Sequence, residues 1–77
     1  LGGKVIKTEI GDIAGYIWKY LDKEGETEYS ALKKAVMQKH EVDETFFIIA
    51  TGWLLRENNI VITNDNNKFE NSKVKIQ

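Results

Sequence analysis

His40 is the only imidazole in the chain, and it stands in a polar turn beside Glu41. A histidine is the side chain best matched to proton transfer near neutral pH, but nucleophilic catalysis also needs a hydroxyl or thiol within its reach. The chain has no Cys, and no Ser lies near His40 in a recognisable nucleophile motif. The sequence therefore predicts no catalytic residue, and His40 reads as a solvated surface imidazole. A metal site needs several clustered ligands. The nearest candidate is Asn64-Asp65-Asn66-Asn67-Lys68-Phe69-Glu70. It lacks the glycine and the density of carboxylates that a calcium loop uses, so it reads as a flexible connection. Gly2-Gly3 leads into no lysine-bearing helix start and so cradles no phosphate. No metal, no cofactor and no small-molecule substrate is expected.

Lysines offer a second chemistry, the neutralisation of phosphate. Lys33, Lys34 and Lys39 cluster in one segment, and Lys73 and Lys75 alternate near the end. They could grip a nucleic-acid backbone, with a salt dependence set by the number of contacts. Eleven basic residues against twelve acidic ones leave a formal net charge of −1, so no global field draws the chain to nucleic acid. Ten of the eleven cations are Lys. Arg56 alone has the fork that reads guanine bidentately, which weakens the case for sequence-specific recognition.

These residues must be positioned by a small scaffold. At 77 residues the chain is read as one domain, 1–77, with 1–7 as a lead-in and Leu1-Gly2-Gly3 as a processed or cut end. A core of this size is only just sufficient, and without Cys no disulfide reinforces it. No apolar run approaches the ~20 residues of a membrane span. A soluble, cytoplasmic protein is expected.

Thr8 can cap a helix over about 9–24, in which Ile10, Ile13, Ala14, Ile17 and Leu21 recur at helical spacing and Trp18 widens the stripe. Gly25 is its left-handed stop. Gly11 and Gly15, four apart, predict close approach of another backbone, either within the domain or from another molecule. Glu26 to Tyr29 alternates like an edge strand. Ser30 can cap a short second helix, Ala31 to Gln38, with Leu32, Ala35 and Val36 facing inward. Lys39 to Val42 forms a turn, and Asp43 caps a third helix ending near Glu57, where Asn58-Asn59 can turn left-handed. Ile60 to Thr63 and Lys73 to Ile76 read as strands of a hairpin across the Asn64–Ser72 loop.

This order predicts an α+β winged helix-turn-helix: three helices and a C-terminal antiparallel hairpin, which the segment near Glu28 can extend by a short third strand. The motifs narrow it further. Ala14-Gly15, Ile17-Trp18 and Leu21 in the first helix, with Gly52-Trp53-Leu54 and Arg56-Glu57 in the third, resemble a family of small, uncharacterised bacterial winged helix-turn-helix domains. Its hallmarks are AGxIWxxL and GWLxRE. The resemblance runs from about Ile10 to the C-terminus. It implies the fold and carries no established activity; a nucleic-acid role would follow from fold analogy alone.

The third helix decides between partners. In a DNA-binding reading its front enters the major groove, yet Asp43 and Glu44 stand there, and three carboxylates oppose Arg56 along its length. Around an ideal helix Ile49, Trp53, Phe46, Ala50, Leu54 and Phe47 span roughly 160°, while Ile48 and Leu55 lie on the other side. That is more apolar surface than a small three-helix domain readily covers. Phe46, Phe47, Ile49 and Trp53, with Tyr16 and Tyr20 beside them, are the candidate protein interface, and a homodimer is the leading functional expectation. The alternative is a transcription-related DNA binder using Lys33, Lys34, Lys39, Lys73 and Lys75. The expected core is Ile13, Ile17, Leu21, Leu32, Val36, Ala50, Leu54, Ile60 and Ile62.

Overall fold

A computed structural model describes residues 6–40, 43–64 and 71–77. Helix α1 (Ile6–Glu24) is followed by strand β1 (Thr27–Glu28), helix α2 (Tyr29–Lys39), helix α3 (Glu44–Arg56) and strands β2 (Ile60–Thr63) and β3 (Lys73–Ile76). The three strands form one antiparallel sheet in the order β1-β3-β2. Residues 1–5, 41–42 and 65–70 lie outside the described residues. So do most of the N-terminal lead-in, Glu41, and the centre of the Asn64–Ser72 loop, where the calcium-loop comparison falls.

Helix α1 starts earlier than the Thr8 cap predicts, so Thr8 lies inside its first turn. In sequence, Ile6 extends the Ile10, Ile13, Ile17 spacing back by one turn, and such a pattern outweighs a single capping residue. Its end is as expected: Gly25 takes φ 79° and its amide donates to the Leu21 carbonyl at 2.8 Å. Helix α2 departs from expectation in a similar way. It begins at Tyr29, its N-cap is Glu28, and no side-chain cap bond is made there. The Tyr29 amide instead donates to the Ser72 carbonyl at 2.7 Å. A tertiary bond from the residue before β3 thus satisfies the first amide of the helix, and Ser30 lies inside the first turn instead of capping it.

Asp43 caps α3 as its chemistry predicts, accepting from the Thr45 amide at 2.9 Å. The far end closes through Asn58 at φ 63°, with Asn58 donating to the Leu55 carbonyl at 3.0 Å and Asn59 to the Leu54 carbonyl at 2.9 Å. This paired arrangement lets the chain turn directly into β2.

Strand β3 sits in the centre of the sheet, between β1 and β2. Val74 opposes Thr27 on one side and Ile62 on the other. Val74 is therefore fully buried, whereas Ile62, expected in the core, is half-buried at its margin. The remaining expected core residues are buried: Ile13, Ile17, Leu21, Leu32, Val36, Ala50, Leu54 and Ile60. Ala14, Tyr29 and Phe47 join them. The Tyr29 and Phe47 rings meet at 5.4 Å between centroids, an edge-inclined aromatic contact. Burial raises the Tyr29 phenol above its ordinary pKa, with Lys33 opposing that shift.

Candidate protein-interaction surface

Helix α3 is buried along a narrow line and apolar beyond it. Phe47, Ala50, Thr51 and Leu54 face the core, and the Thr51 hydroxyl donates to the Phe47 carbonyl at 2.8 Å. Four large apolar residues of the same helix remain exposed: Ile48 at 50%, Ile49 at 45%, Trp53 at 52% and Leu55 at 40%. Stepping about 100° per residue, Thr45, Ile49, Gly52 and Arg56 run along the line opposite the core. Ile48 and Leu55 flank that line on one side, and Trp53 flanks it on the other.

The six expected interface residues divide. Ile49 and Trp53 are exposed. Phe46, Tyr16 and Tyr20 are half-buried and pack against the core. Phe47 is a correction: at 0% exposure it is core and cannot meet a partner. Its position nearest the helix's buried line explains this, since a 160° apolar arc is wider than the face α1 and the sheet can cover. The half-buried tyrosines contact each other at 6.3 Å between ring centroids, and Tyr16 meets the edge of His40 at 5.4 Å. His40 is therefore no solvated surface group. It is half-buried, with Nε2 shielded from solvent and unbonded among the described residues.

Between α1 and α3, Ile10 and Gly11 face Ile49 and Trp53 across an open apolar cleft of about 540 Å³. A β-carbon built on Gly11, Gly15 or Gly52 would meet nothing within 4 Å outside its own helical turn, among the described residues. The close approach within the domain expected at Gly11 and Gly15 is thus not made. All three glycines are exposed.

The lysines do not form one free basic array. Lys33 Nζ lies 3.0 Å from the Glu44 carboxylate, and Lys73 Nζ lies 3.9 Å from Glu28. Lys73 and Lys75 alternate with the inward Val74 and Ile76 and are exposed on the sheet, while Lys34 and Lys39 are exposed on α2. Lys39 borders a shallow concavity with Lys19, Asp12 and His40. The front of α3 bears Asp43 and Glu44. Among the described residues no cluster of His, Asp and Glu could hold a metal ion, and no helix is long and apolar enough to cross a membrane.

Three helices in this order, a compact α2–α3 pair and a three-stranded sheet closing the C-terminus define a winged helix-turn-helix domain. Domains of this class are in general binding modules. Residues 5–72 match the family described as winged helix-turn-helix domain (DUF2582), and the chain belongs to that family. No curated protein matches the chain.

Sequence reasoning placed Ile48 and Leu55 on a separate side of α3 but did not count them in the interface. The signal was available in their spacing: Ile48 and Leu55 are seven positions apart, about two helical turns, and so share one flank of α3.

Proposed function

We propose that this domain is a non-enzymatic interaction module that self-associates through the apolar outer surface of α3. The observation that carries the reading is the exposure, together on one helix, of Ile48, Ile49, Trp53 and Leu55. Apolar surface gains roughly 25 cal/mol per Å² on leaving water, and a contiguous patch rimmed by charge is the mark of an interface. In a domain with a marginal core, pairing also adds stability that rises with the logarithm of protein concentration.

Sedimentation velocity across a concentration series tests this. The native chain is expected to shift from monomer toward dimer, and Ile49→Lys is expected to remain monomeric while keeping its helical circular dichroism. A native chain that stays monomeric at millimolar concentration would overturn the reading.

DNA binding, a common role of the fold, is the second reading. It draws on Lys34, Lys39 and Lys75, which are exposed and have no carboxylate partner among the described residues. It is opposed by the acidic front of α3. Fluorescence anisotropy with duplex DNA at low salt decides it: tight, salt-sensitive binding by the monomer would favour this reading over the first.

A further inference from the structure

We infer that the partner of α3 is the α3 of a second copy, packed antiparallel about a two-fold axis that passes between the levels of Ala50 and Thr51. This rests on the self-association reading above and specifies its geometry. The Thr45, Ile49, Gly52, Arg56 line faces the partner, and the two-fold axis runs between the two helices, perpendicular both to their length and to the outward direction of that line. Rotation about this axis sets Ile49 over the partner's Gly52, and Gly52 under the partner's Ile49. The same rotation keeps like flanks together, so Trp53 lies on the side of the partner's Trp53 and Ile48 on the side of the partner's Ile48, with Arg56 beside the partner's Thr45.

Two features fit this occupant, and a third limits its strength. The first is shape. Ile49 protrudes beside Gly52, whose missing side chain leaves open space on the exposed face, so knob and hole exchange roles across an isologous contact. The second is charge. Arg56 at one end and Glu44 with Asp43 at the other are brought together twice by the antiparallel arrangement. Glu44 already holds Lys33 through Oε2, and its second oxygen can accept from the partner's Arg56. Antiparallel helix dipoles add to this, whereas a parallel pairing would set Arg56 beside the partner's Arg56. The third is area. The four half-exposed side chains offer on the order of 400 Å², about half of the ~800 Å² per partner of a standard interface. The complex is therefore weak and dissociates at low micromolar protein. In forming, it covers the face of α3 that a winged helix would insert into DNA.

The chain has no Cys, so a single introduced thiol can be labelled cleanly. Thr45→Cys, carrying a nitroxide on unlabelled protein, is mixed with the ¹⁵N-labelled native chain, and sedimentation is run on the same sample. The geometry predicts line broadening at the amides of Gly52 to Glu57 of the ¹⁵N chain. Gly52→Gln should raise the dissociation constant at least tenfold with the helical signal unchanged. Broadening centred on Thr45 would show parallel pairing, and broadening on α1 or the sheet would show another surface. Either result, with a dimer in sedimentation, overturns this geometry and leaves self-association standing. A monomer in sedimentation overturns both.

Discussion

Gly52→Ala should make the isolated domain more stable, although it alters a residue of the GWLxRE motif. Gly52 lies inside α3, four residues before its last residue, Arg56. Its φ is not positive, and a β-carbon there meets nothing within 4 Å. The native glycine therefore carries the backbone-entropy cost of a helical glycine, about 1 kcal/mol relative to alanine, with no compensating contact in the monomer. In a domain of this size, 1 kcal/mol corresponds to roughly 4–8 °C in melting temperature. Thermal unfolding followed by circular dichroism at low micromolar protein, where the weak dimer has dissociated, should show a rise of that order. At high concentration the native melting temperature should climb and the variant's advantage should shrink, because pairing stabilises only the associated chain. A melting temperature that falls at low concentration would refute the reasoning, since it would mean that Gly52 is required inside the monomer.

Gly25→Ala should show the opposite sign: φ 79° makes the same substitution costly, by about 1 kcal/mol, as read by urea unfolding. Phe47→Ala removes a fully buried ring tilted against Tyr29 and should cost about 3–5 kcal/mol, enough to leave a domain this small largely unfolded in circular dichroism. The Asp43 carboxyl is held below its ordinary pKa first by the Thr45 backbone amide and then by the Thr45 side chain. Its contribution to stability is thus complete above pH about 4 and lost as the pH falls through the lowered folded value. Asp43→Ala should remove that component from the acid limb of a pH-dependent unfolding series.

How far the fold could be read from the chain depended on whether a feature was local. The Gly25 stop, the Asp43 cap and the Asn58 turn are written in residues that act on their own backbone, and each appears where expected. The start of α2 is not local. Its first amide is satisfied by Ser72, 43 positions away, a partner that nothing in the residues around Ser30 announces. The same holds for Val74. Its KVKI segment alternates like an edge strand, and only the pairing with β1 makes it central and buried. At the candidate site, helical spacing alone showed that α3 carries more apolar surface than one face, but not which residues the core would take. Phe47 and Ile49 differ by two positions and point to opposite sides of α3, and the packing of the other elements, Tyr29 of α2 among them, seals the first and leaves the second exposed.

Under the proposed function, the outer face of α3 meets protein and not DNA. The most direct measurement is a dilution series of ¹⁵N spectra of the native chain, followed by titration with duplex DNA. Concentration-dependent shifts are expected at Glu44, Thr45, Ile48, Ile49, Gly52, Trp53, Leu55 and Arg56, with no shift of these residues on adding DNA at physiological salt. Spectra unchanged on dilution, with those same amides moving on addition of DNA, would contradict it.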